Sequence, residues 1–102
     1  MPTTNVTITI TGSSGSYTPT NSPTEPAGGY SPPISVIFTN STTGSITVYY
    51  GVTATSFQSV TIAAGQSSVA IPSTVAMEFN VVPATANPST WAHVIHVGSS
   101  VP

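Results

Sequence analysis

The chain of 102 residues has no lysine and no arginine, and its only carboxylates are Glu25 and Glu78, so 2% of it is charged, where soluble domains carry about 25%. With His93 and His96 as its only side chains able to become cationic, it lacks the basic footprint that neutralises phosphates or holds an anionic lipid surface. The common modes of nucleic-acid binding and electrostatic membrane attachment are therefore excluded as expectations. The same absence removes Schiff-base lysines, phosphate loops and arginine clamps.

Cysteine is also absent, which rules out a disulfide framework and thiolate metal sites and leaves the redox compartment open. No segment approaches the roughly 18 apolar residues that a membrane-spanning helix needs. The opening Met1-Pro2-Thr3-Thr4 has neither the basic nor the apolar region of a secretory leader. The expectation is synthesis in the cytoplasm without a signal peptide, with release by lysis or as part of a particle.

What the chain has instead of charge is hydroxyl: sixteen serines and eighteen threonines supply the polar surface, beside 38% hydrophobic residues. The formal charge is only −2, so repulsion between copies is weak and association is favoured. Burying hydroxyl and amide groups also avoids the desolvation penalty of buried ions. Two glycosylation sequons occur, at Asn5-Val6-Thr7 and Asn40-Ser41-Thr42, in a chain where serine and threonine are frequent enough to produce them by chance.

Alternation of period two recurs in seven short, β-branched runs bounded by Gly, Pro, Asn or Ser, the pattern of half-buried strands. Residues 5–11 put Val6, Ile8 and Ile10 on one face and Thr7, Thr9 and Thr11 on the other. Residues 34–39 turn Ile34, Val36 and Phe38 inward, and residues 46–52 turn Ile46, Val48, Tyr50 and Val52 inward; a hairpin over residues 40–45 is expected between them. Residues 57–62 bury Val60 and Ile62, and residues 67–71 return until Pro72 ends the strand for want of a ladder N–H. Residues 75–82 bury Val75, Met77, Phe79 and Val81. The last run, 91–97, buries Trp91, His93, Ile95 and Val97 in preference to Ala92, Val94 and His96.

Seven short strands joined by turns predict an all-β chain, a single antiparallel β-sandwich of the jelly-roll or Ig-like kind, with one domain over residues 1–102. Residues 12–33 hold five prolines and four glycines and are read as one long irregular loop or arm, a length that is usually functional or mobile. As an arm it would lie across a neighbour, its prolines lowering the entropic cost of ordering.

Catalytic constellations are sparse. Three residues apart on a strand, His93 and His96 face opposite ways and do not share a metal within one subunit. Glu25 and Glu78 are the only pair available for glycoside hydrolysis, and Glu25 sits in the proline-rich segment, a poor place to fix an acid. No Gly-x-Ser-x-Gly elbow accompanies the many serines. No cofactor or metal is implied.

The reading is a non-enzymatic structural subunit that assembles into or onto a large particle, foremost a viral or phage capsid decoration protein. Its partners are copies of itself or a capsid shell protein, and its place is the virion surface or an extracellular particle. The candidate interface is Tyr17, Tyr30, Tyr49, Thr7, Thr9 and Thr11, since tyrosine suits partner surfaces. One alternative is a subunit of an extracellular filament joined by strand addition. Another is a carbohydrate-binding, lectin-like module in which Trp91 and the tyrosines stack on a glycan. Ice binding through the Thr7, Thr9, Thr11 row is disfavoured because the row occurs once, without stacked repeats.

Overall fold

In a computed structural model of the chain, which describes residues 3–13, 16–51, 57–83 and 93–98, every regular element is a β-strand. The described strands are β1 (Thr4–Ser13), β2 (Ser16–Ser22), β3 (Ile34–Asn40), β4 (Ile46–Gly51), β5 (Phe57–Ile62), β6 (Ile71–Ser73), β7 (Met77–Pro83) and β8 (His93–Ile95). They form two four-stranded sheets, one in the order β2-β1-β3-β6 and the other in the order β5-β4-β7-β8. Among the described residues no helix is long and apolar enough to cross a membrane.

The alternating patterns decide which faces meet. Val6, Ile8 and Ile10 of β1 and Ile34, Val36 and Phe38 of β3 are buried with Ile46 and Val48 of β4, Ile62 of β5, Met77, Phe79 and Val81 of β7, and Ile95 of β8 in one apolar cluster. Phe38 and Phe79 come from different sheets, and their ring centroids are 5.2 Å apart at a 58° tilt. Tyr50 adds a third ring 6.3 Å from Phe38. The two sheets thus share one core: of the described residues in the inward sets read from the sequence, Tyr50, Val60, His93 and Val97 are only partly buried, Val75 is exposed, and the others are buried.

Four features depart from the sequence reading. First, residues 12–33 are not irregular throughout: β2 lies within them and pairs antiparallel with β1 from Thr7↔Ser22 to Ser13↔Ser16. The chain then crosses to the other side of β1, so that β3 runs parallel to β1, from Thr4↔Ile34 to Ile10↔Asn40. The described residues form eight strands, not seven, and the sheets are mostly rather than wholly antiparallel. The arm is instead part of the fold.

Second, β3 and β4 do not form a hairpin. They belong to different sheets, and the short link between them carries the chain from one sheet to the other. Asn40 makes this possible because it continues the inward face of β3 and is fully buried. Its Nδ2 donates to the carbonyls of Gly44 and Ile62, each at 2.8 Å, while its Oδ1 accepts from the backbone N–H of Thr42 at 2.9 Å and the hydroxyl of Thr42 at 2.6 Å. The side chain substitutes for the ladder that ends there.

Third, Pro72 lies inside β6, opposite Ser35, instead of ending a strand over 67–71. β6 is an outer strand of its sheet, the position in which a missing N–H is tolerated. Ser68 reaches β3 through both side chain and backbone: the Phe38 N–H donates to Ser68 Oγ at 3.0 Å, and the Ser68 N–H donates to the Phe38 carbonyl at 2.8 Å. Fourth, Val75 is 52% exposed rather than inward, since β7 begins only at Met77. Val52, Trp91 and Ala92 lie outside the described residues.

Candidate functional site

Because β2 pairs with β1, the threonine row of β1 acquires neighbours on both sides. The register sets Thr11 opposite Thr18, Thr9 between Thr20 and Thr39, and Thr7 between Ser22 and Ile37. All of these point away from the core, since their chain neighbours Ile8, Ile10, Val36 and Phe38 point into it. Thr11, Thr18, Thr20 and Ser22 are exposed, and Thr7, Thr9 and Thr39 are half-buried. Thr39 Oγ1 lies 2.9 Å from Ser67 Oγ, and the Thr11 hydroxyl donates to the Thr18 carbonyl at 3.3 Å. The outcome is a face of short hydroxyl side chains that carries no charge. Thr18, Thr20 and Ser22 were missed as members because their segment reads as a loop; the signal was a hydroxyl at every second position from Ser16 to Ser22.

The three candidate tyrosines do not share this face or any other. Tyr17 is half-buried at the margin of the core, opposite Gly12 on the inward side of β2. Tyr30, expected at an interface, is 1% exposed and packs in the core of this chain. Its hydroxyl donates to the Pro23 carbonyl at 2.6 Å and accepts from Asn21 Nδ2 at 3.1 Å, so the ring fills the core while the phenol tip ties down residues 23–30. Tyr49 stands half-buried on the outer face of the second sheet, in one cross-strand row with Ser59 and Asn80. Trp91 lies outside the described residues, so an aromatic platform is not assembled from the described tyrosines.

Residues 23–30 are fastened to the end of β8 by a carboxylate and by backbone. Glu25 Oε1 accepts from the His96 backbone N–H, and Glu25 Oε2 lies 2.9 Å from His96 Nδ1. The Tyr30 N–H donates to the His96 carbonyl, and the Gly98 N–H to the Tyr30 carbonyl. Gly29 sits at this seam with φ +94°, and an added Cβ would fall 2.7 Å from the His96 carbonyl carbon, so only glycine fits both the backbone and the space. Glu25 is therefore held in place, contrary to the expectation from its proline-rich surroundings.

An acid and an imidazole at this distance are two parts of a catalytic triad. Here they edge a recess of about 430 Å³ whose described lining, Glu25, Pro26, Ala27, Gly28, Gly29, Ala76, His96 and Val97, includes no hydroxyl or thiol. The Gly29 N–H is already given to the Pro26 carbonyl and the Gly98 N–H to Tyr30. The pair ties the loop to the end of β8. Among the described residues no group of three or more His, Cys, Asp or Glu is arranged to hold a metal.

His93 lies on the opposite side of the strand from Val94 and stacks on Phe79, with centroids 5.0 Å apart. Burial lowers its pKa from the ordinary 6.5, because desolvation disfavours the imidazolium. The folded state then binds fewer protons than the unfolded chain. The stability contributed by neutral His93 is present above pH 6.5 and is lost as pH falls through the lower folded value. Urea midpoints should drop on acidification below that point, and His93→Gln, which retains His96 and Glu25, should lose part of the drop. An unchanged pH profile in His93→Gln would remove His93 as the cause.

Of the two sequons, Asn5 is exposed, while Asn40 has no exposure and commits its Nδ2 to two carbonyls. A glycan on Asn40 is incompatible with the folded chain. Compared with known families, characterised proteins and solved structures, the chain matches no family model, no characterised protein and no solved structure.

Proposed function

We propose that this chain is a non-enzymatic structural subunit that assembles into or onto a large particle, with a capsid shell as the foremost partner and a filament of its own copies as the second. On this reading the two sheets are a β-sandwich of the jelly-roll or Ig-like kind, and the chain resides on a virion surface or an extracellular particle. The observation that carries the proposal is the hydroxyl face of Thr7, Thr9, Thr11, Thr18, Thr20, Ser22 and Thr39. Such a face docks without stripping water from ions, and short side chains lose little rotamer entropy when covered.

The test is the mass of the purified chain by light scattering and negative-stain microscopy, alone and with capsids. Contacts built from hydroxyls and apolar burial are insensitive to screening, so the assembly should be unchanged between low salt and about 1 M sodium chloride, where the Debye length is about 3 Å. Thr9→Glu, which places a charge in the middle of the face, should abolish assembly while the β circular dichroism remains. Assembly that dissolves in salt, or that survives Thr9→Glu, overturns the proposal. The row of Tyr49, Ser59 and Asn80 favours a second reading as a sugar-binding module. That reading requires a saturable change in intrinsic fluorescence with soluble glycans, lost in Tyr49→Ala.

A further inference from the structure

Four strands lie at the sheet margins, β2 and β6 in one sheet and β5 and β8 in the other. An outer strand offers a row of unpaired N–H and C=O groups to any other strand, and natural proteins blunt such edges with proline, charge or brevity. β2 carries Pro19 in its middle, opposite Ile10. β6 has three residues with Pro72 at its centre, and β8 has three among the described residues. β5 has none of these devices. Its six residues, Phe57–Ile62, contain no proline and no charged residue, and among the described residues only β4 pairs with it.

Its side chains fit a strand that is added. Val60 packs against the core yet remains half-exposed, as expected of an inward residue at an open margin. Gln58, Ser59 and Thr61 are exposed. An added strand would cover Val60 and extend the apolar face.

We infer that β5 is a homotypic seam: two copies of the chain pair through β5, antiparallel, with Val60 opposite Val60 of the second copy, joining two four-stranded sheets into one of eight strands. A second copy is the occupant because antiparallel pairing of a strand with itself is self-complementary and closes on a two-fold axis. In this register Ser59 of each copy faces Thr61 of the other on the outer side, and Gln58 faces Ile62 on the inner. Neither carboxylate lies on β5, so nothing repels the second copy. The inference deepens the assembly reading and rests on it, by naming one contact between subunits. Six residues make a short seam, at the low end of interface size, below about 1,200 Å².

The experiment uses sedimentation velocity on the full chain with like and opposite charges placed across the seam. The chain should dimerise at concentrations below about 1 mM. Ser59→Lys with Thr61→Lys sets like charges directly opposite each other, and should weaken the dimer at least about ten-fold. Ser59→Glu with Thr61→Glu should do the same. An equimolar mixture of the two double variants should recover a dimer, now sensitive to salt, a recovery that misfolded chains would not give. Val69→Lys, at a position 79% exposed in the segment before β6 and outside both the seam and the hydroxyl face, should leave the dimer intact. A chain that stays monomeric at about 1 mM, a lysine double variant that still dimerises, or a mixture that fails to dimerise overturns the seam. If the seam fails while the chain still binds capsids and Thr9→Glu blocks that binding, the assembly reading stands without it; a dimer that forms no larger particle supports the seam and sinks the reading.

Discussion

Asn40→Asp is expected to remove about 3–5 kcal/mol of stability at neutral pH, the range seen when a buried charge is left without a partner. The substitution barely changes shape. It changes the sign of one hydrogen-bonding group: the amide nitrogen that donates to the Gly44 and Ile62 carbonyls at 2.8 Å each becomes an oxygen facing two oxygens. With no exposure at this position, water does not screen the repulsion. The new carboxyl should be pushed above its unfolded value of about 3.9 by desolvation. The penalty is therefore full above the raised folded value and shrinks as pH falls towards the unfolded one. Asn40→Ala should cost about 2–4 kcal/mol, from unpaired carbonyls and a small cavity. Urea titrations of the variants at pH 7 and at mildly acidic pH measure both effects. A loss under about 1 kcal/mol for Asn40→Asp would show that the side chain does not hold the turn.

The same residue shows where the sequence was legible and where it was not. Apolar alternation identified the buried faces of β1, β3, β4 and β7, because burial of one side of a strand leaves its trace at every second residue. Asn40 continues that alternation from Ile34, Val36 and Phe38, yet a polar residue followed by Ser41-Thr42-Thr43-Gly44 also has the composition of a hairpin turn. Composition does not reveal which strands a turn connects. Whether β3 pairs with β4 or with β1 depends on partners far along the chain, and the parallel β1 and β3 pair is set by the crossover of residues 23–33.

Two kinds of error follow from this at the candidate surface. β2 alternates hydroxyls with Tyr17, Pro19 and Asn21, so its inward side lacks the aliphatic residues that mark a strand, and Pro19 suggests a loop. Tyr30 has no periodic neighbours at all; its burial comes from the backbone bonds to His96 and Gly98 that pull residues 23–30 onto the end of β8. A side chain buried by a loop leaves no periodic signal. Glu25 and His96, 71 positions apart, likewise meet only through the fold.

Phe38→Ala and Phe79→Ala should each cost about 3–5 kcal/mol, as a buried ring is lost and its space only partly refills. Both rings are at most 2% exposed. Against a total stability of about 5–15 kcal/mol for a domain of this size, either variant should lie near the edge of folding at room temperature. The pair also tests the architecture, because Phe38 belongs to β3 and Phe79 to β7, strands of different sheets. With centroids 5.2 Å apart, the two rings should be coupled by about 0.5–1.5 kcal/mol in a double-mutant cycle, so that the double variant loses less than the sum of the singles. If Phe38→Ala leaves too little folded protein to measure, Phe38→Leu with Phe79→Leu provides a milder cycle. Additive losses would mean the rings are not in contact across the sheets, and losses below about 1 kcal/mol at both positions would mean that these faces are not the buried ones.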